Sequence, residues 1–133
     1  MANQLSQIKW GRVILTTLAV YVLSYLTIFV VVTAYATALA FQARGAPDPS
    51  MIAAFANQNA PWLGPVSLIL FTVLGARHMA QRVESAISLH GMILGALTGI
   101  VNMLFDGLGL GTFIILILTI SAGWLGSKLS ARK

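Results

Sequence analysis

Apolar residues fill four long runs along this chain, and polar clusters separate them. The first run covers residues 13–41 without a charged side chain. A helix of about 20 residues crosses a typical hydrocarbon core, so a run of this length must tilt or project beyond the bilayer. Residues 42–60 form the longest polar segment, with Arg44, Gly45, Pro47, Asp48 and Pro49 followed by the amides Asn57, Gln58 and Asn59. The Ala-Pro-Asp-Pro-Ser stretch breaks a helix there, so the segment reads as an outer loop, with 51–56 suited to a short interfacial helix. The second run is expected over 61–80, with Asn59 as its cap, Pro61 in the first turn and Trp62 in the aromatic belt. A loop with Arg77, His78, Arg82 and Glu84 leads to a third run over 86–105. Asp106-Gly-Leu-Gly-Leu-Gly then permits a tight turn, and the fourth run, 110–127, ends at Lys128, Arg132 and Lys133.

The pattern predicts an all-α fold, a single-domain polytopic transmembrane bundle of four helices. Composition supports it. Hydrophobic residues make up 58% of the 133 and charged residues 8%, whereas a soluble domain carries roughly 25% charged residues. So few charges cannot build a water-facing surface, and lipid must cover most of the exterior.

The formal net charge is +5, and the basic residues sit at the ends of the apolar runs. With four crossings, Lys9, Arg12, Arg77, Arg82, Lys128, Arg132 and Lys133 share one side, and Arg44 stands on the other. This bias predicts that both ends of the bundle's chain lie inside, N-in and C-in, in a bacterial cytoplasmic membrane. The basic residues form no continuous patch, so no nucleic-acid partner is expected. The expected partners are the lipid bilayer and other membrane subunits or further copies of the chain. Cysteine is absent, which excludes disulfides, thiolate zinc sites and thiol catalysis. Lys9 and Arg12 before an apolar run, with Ala38-Leu39-Ala40 after it, also resemble a signal peptide. The run far exceeds a usual h-region of about 7–15 residues, so an uncleaved first helix is expected.

Four features bear on function. Gly91, Gly95 and Gly99 are spaced by four and share one face of the third helix, which lets another helix approach closely. Thr119, Gly123 and Ser127 give the fourth helix a similar face. Both read as packing seams, either inside one chain or between copies, because both uses need the same small residues. A hydroxyl stripe on the first helix, Thr17, Tyr21, Ser24 and Tyr35, with Tyr25 alongside, falls close to one face. It reads as interhelical or own-helix hydrogen bonding, with a polar lining for a solute pathway as the alternative. Asn102 and Asp106 share a face near the outer end. A turn-stabilising role for Asp106 is expected, with cation or proton capture as the functional alternative. His90 precedes Gly91, and its imidazole is a candidate ligand for haem or a chlorophyll-type pigment. The main expectation is that no cofactor is bound and that His90 is a packed polar group.

An enzyme is not expected. The acidic residues are Asp48, Glu84 and Asp106, and no carboxylate pair, Ser-His-Asp set, metal motif or phosphate loop is visible.

Gly75-Ala76-Arg77, Leu89-His90-Gly91 with Gly95, and Ala122-Gly123-Trp124-Leu125-Gly126 before a basic tail carry a resemblance across the second half of the chain. It resembles a loose class of small, uncharacterised four-helix bacterial integral membrane proteins. The resemblance implies the fold and brings no activity or site residues. The first run lacks the embedded glutamate of small multidrug exporters, and the glycine-and-arginine signature of fluoride channels is absent. The expected function is therefore a non-catalytic membrane subunit or scaffold that acts through helix packing in a homo-oligomer or larger complex. The alternative is a small-solute channel or transporter, itself oligomeric.

Overall fold

A computed structural model describes residues 7–130. Among these residues the fold is all-helical, in the order α1 (Trp10–Ala43), α2 (Pro49–Ala80), α3 (Ile87–Asp106) and α4 (Leu110–Ser130). All four are long and apolar enough to cross a membrane, which makes the chain a multi-pass helical membrane protein. Short connections make neighbours antiparallel. The start of α1, the α2–α3 loop and the end of α4 therefore share one end, called here the termini end.

The helices start and stop for local reasons. The α1 C-terminus closes with Arg44 in the left-handed region (φ 51°). The Arg44 N–H donates to Phe41 O, and the Gly45 N–H donates to Ala40 O at 3.2 Å. This is the paired reverse bonding that satisfies the last carbonyls of a helix. The left-handed position falls on Arg44 although Gly45, which adopts that region without strain, lies one residue later.

The second helix begins at Pro49 and not at Pro61, so most of the expected outer loop is helical. Asp48 supplies the cap: its carboxylate accepts from the Ser50 N–H at 2.8 Å, and Pro49 takes the first helical position, where its missing N–H costs nothing. These hydrogen bonds from Ser50 hold the Asp48 carboxyl below its ordinary range. Asn59 is not a cap; its amide donates back to Phe55 O at 2.8 Å. Pro61 and Pro65 lie inside α2. A proline has no N–H, so the carbonyls four residues earlier, those of Asn57 and Pro61, lose their helical donors.

The third helix starts from Ala86, also left-handed (φ 50°), and ends at Gly107, whose φ of 83° favours glycine. Thr112 ties the following turn: its hydroxyl accepts from the Gly109 N–H at 3.0 Å and donates to Gly109 O at 2.8 Å. That is the role expected of Asp106, and Thr112 fills it because position 112 lies in the first turn of α4, within reach of Gly109.

At 1.5 Å per residue, α1 and α2 are each about 50 Å long and α3 and α4 about 30 Å. The ends of α1 and α3 are level at the termini end, because the Lys9 N–H reaches His90. The α1–α2 hairpin therefore overhangs the α3–α4 hairpin at the opposite end. Tyr35 on α1 stacks on Phe55 of α2 within this overhang, with centroids 3.9 Å apart.

Packing is uneven. The tightest seam joins α3 to α4. A Cβ at Gly91 would stand 2.9 Å from Ser127 Cβ, and one at Gly99 would stand 2.8 Å from Leu116 Cα. A Cβ at Gly95 would collide with the Thr119 carbonyl oxygen, and one at Gly126 with that of Val73 on α2. Without side chains the backbones come into direct contact and dispersion contacts multiply. The apolar core, with Val13, Ala76, Met79 and Leu94, lies toward the termini end. There α1 packs on α2 and α3 but has no packing contact with α4.

Candidate functional site

The gap between α1 and α4 becomes a cavity at the end opposite the termini. Its volume is about 530 Å³, and all four helices line it. The size falls in the usual range for small-molecule pockets, roughly 300–1,000 Å³. Helix α1 contributes Tyr21, Ser24 and Tyr25, and α3 contributes Asn102 and Asp106. Helix α4 adds Thr112, and α2 adds Asn57 with both internal prolines.

Each polar group has a physical reason for its place. Tyr21 leans across from α1, and its hydroxyl donates to Thr98 O on α3 at 2.6 Å. Its ring contacts Tyr25 and Phe105 at 6.5 and 6.4 Å between centroids. Asn102 and Asp106 are one turn apart, so both side chains reach the same space. The Asn102 Nδ2 is buried without a hydrogen-bond partner, and buried amides in this state are uncommon in folded proteins. The prolines leave the Asn57 and Pro61 carbonyls without helical donors, and both residues line the cavity. Asp106 is the one charged residue in the lining. The site therefore combines a carboxylate, backbone and amide oxygens, an unpaired amide donor and two tyrosines.

The expected polar lining divides. Tyr21, Ser24, Asn102 and Asp106 come together at the cavity. Thr17 and Tyr35 do not line it. Thr17 is buried nearer the termini end, where its hydroxyl donates to Val13 O at 2.9 Å. Tyr35 lies three turns beyond Ser24 in the overhang, and Phe55 covers its ring. Even Ser24 bonds back to Val20 O at 2.8 Å, so its hydroxyl proton is committed to its own helix. Asn57, Thr112, Pro61 and Pro65 were absent from the expected lining. Two prolines sixteen and twelve residues upstream of Arg77, within one apolar run, were the signal available: inside a membrane helix they free carbonyls that need a new partner. Placing Asn57 in a loop hid it.

His90 has no nitrogen free for a haem or a pigment. It is 0% exposed. The Lys9 N–H donates to its Nε2 at 3.1 Å, and its Nδ1 lies 2.9 Å from Ala86 O. An acceptor at Nε2 and a donor at Nδ1 define the neutral ring protonated on Nδ1. The room expected beside Gly91 is taken by Gly123 and Ser127 of α4. His90 is a structural clamp between the starts of α1 and α3. Among the described residues no three His, Asp or Glu side chains gather as a metal cluster would require.

The seam glycines touch neither the cavity nor the open surface. They are consumed by contacts within the chain. Comparison with protein-family models, with curated proteins and with solved structures finds no match to this chain.

Proposed function

We propose that the chain is a membrane-embedded solute-binding protein of the channel or transporter class, and that its cavity admits a small, singly charged organic cation. The single carboxylate of Asp106 within an otherwise uncharged lining carries this reading. One carboxylate favours one positive charge. Tyrosine faces attract ammonium groups through their ring quadrupoles. Carbonyls freed by broken helical bonding serve as cation ligands in membrane proteins, and the buried Asn102 donor suits an oxygen on the same solute. The chain is non-catalytic in this reading. The charge bias supports N-in, C-in orientation in a bacterial cytoplasmic membrane, with the cavity mouth facing outward.

Binding tests the proposal directly. Detergent-purified protein is titrated with tetramethylammonium and ethylammonium chlorides, with sodium chloride as control, by calorimetry or thermal shift. A saturable response to either organic cation is expected, and Asp106→Asn is expected to weaken it about tenfold, as for loss of one charge-assisted contact. Equal responses of wild type and Asp106→Asn would remove the basis of the reading.

One observation favours the scaffold reading as a second possibility. On the overhanging half of α1, Phe29, Val30 and Phe41 face outward, with Phe41 80% exposed. If a membrane subunit or another copy docks on this chain, that uncharged face is where it acts, since the small-residue seams are occupied internally. A stoichiometric partner retained by wild type and lost in Val30→Arg would support this reading.

A further inference from the structure

A second groove lies between α1 and α2 toward the termini end, and it shares no lining residue with the cavity. It encloses about 530 Å³. Its long walls are apolar: Leu15, Ala19 and Leu23 on α1 face Phe71 and Leu74 on α2. Its floor is the close crossing at Gly75, where a Cβ would stand 3.0 Å from Thr16 Cγ2 and 3.1 Å from Val20 Cγ2. The missing side chain lets the helices meet there and leaves a channel on their outward face. Arg12, His78 and Arg82 gather at one end of it, and no carboxylate lines it. Arg12 is fixed in place because its guanidinium donates to the Arg82 carbonyl at 2.5 Å. That bond closes the end of the groove and leaves the Arg82 side chain free of that duty.

An apolar slot one helix pair wide, ending in two guanidiniums and an imidazole at the membrane boundary, is complementary to an anionic phospholipid. We propose that this groove binds one such lipid, with an acyl chain along Leu15, Leu23 and Leu74 and the phosphate between Arg12, His78 and Arg82. Arginine presents a planar fork that matches phosphate oxygens in pairs. Basic pockets between transmembrane helices recognise anionic headgroups on this principle. The proposal depends on the membrane-spanning fold and is independent of the cavity's ligand.

Native mass spectrometry of the protein in nanodiscs tests it. The discs contain equal amounts of phosphatidylglycerol and phosphatidylcholine with the same acyl chains. Wild type is expected to retain one phosphatidylglycerol per chain in preference to phosphatidylcholine. Arg82→Gln, which keeps the backbone carbonyl that Arg12 uses, is expected to cut that preference about fivefold, from roughly 1 kcal/mol per basic residue at the headgroup layer. Ala19→Trp, which fills the slot, is expected to abolish retention. Arg77→Gln, at the same end but outside the groove, is expected to change nothing. Equal retention of both lipids, or equal loss in Arg77→Gln and Arg82→Gln, would overturn the proposal, since the attraction would then be diffuse charge. Retention unchanged in Ala19→Trp would overturn it as well.

Discussion

The carbonyl oxygen of Gly91 occupies the space that a Cβ of Gly123 would need, and the carbonyl oxygen of Gly123 does the same to Gly91. Two helices of one chain thus meet backbone to backbone at a reciprocal contact. Neither side has a flexible atom to move aside. Gly123→Ala must push α3 and α4 apart, at a cost of about 1–3 kcal/mol for overpacking. Gly11 is the control. It lies in α1 with nothing within 4 Å of its would-be Cβ, and Gly11→Ala is expected to be neutral or to stabilise by about 0.5–1 kcal/mol. Thermal unfolding in one detergent should rank Gly11→Ala at or above wild type and Gly123→Ala clearly below. The reverse order would contradict the seam.

The hydrogen bond from Lys9 to His90 spans 81 positions of sequence and joins the starts of α1 and α3. His90→Ala removes the acceptor for the Lys9 N–H and leaves a void in a fully buried place. Leaving a buried donor unmet costs about 1–3 kcal/mol. Hydrogen exchange should therefore accelerate at Lys9 and the first turn of α1 before any other helix responds. Added haem should give no His90-dependent absorbance band, because both ring nitrogens are already bonded. A band lost in His90→Ala would show that the clamp opens to a ligand.

Tyr21 connects α1 to the backbone of α3 at the cavity wall. Tyr21→Phe keeps the ring that faces a cation and deletes the bond to Thr98 O. Stability should fall by about 0.5–1.5 kcal/mol, while affinity for tetramethylammonium changes little. Tyr21→Ala should reduce both. Equal affinity loss in Tyr21→Phe and Tyr21→Ala would mean that the hydroxyl, and not the ring, contacts the solute.

The cap on α2 gives a pH dependence with a definite sign. The Ser50 hydrogen bonds lower the Asp48 pKa in the folded chain. The stabilisation is then complete above the carboxyl's unfolded pKa and is lost as the pH falls through the lowered folded value. Relative to the intrinsic exchange rate at each pH, protection at Ser50 and Met51 should be high at neutral pH and fall in acid. Asp48→Asn, which still caps, should flatten that profile.

Four long apolar runs, with Arg77 near the end of the second as their one Lys, Arg, Asp or Glu, were enough to establish the class of fold. A chain with 8% charged residues must be covered by lipid, and in lipid the backbone has to satisfy itself within each helix. The turn after Asp106 was equally legible, because glycines at 107, 109 and 111 leave few alternatives. The start of α2 was not. Two prolines and a run of amides read as a loop in water, yet Asp48 with Pro49 is a sound helix start, and internal prolines are tolerated where packed neighbours support the chain. Small residues at 91, 95 and 99 announced a close helix approach without naming the helix. That answer required the fold, because contact within a chain and contact between chains make the same demand on side-chain volume. The cavity also belongs to tertiary structure alone. Tyr21, Asn57, Asn102 and Thr112 come from four helices, and they meet only because α1 leans on α2 and α3 and leaves α4 uncovered. Helical periodicity describes one helix face at a time, whereas the gap between α1 and α4 depends on how all four axes are placed.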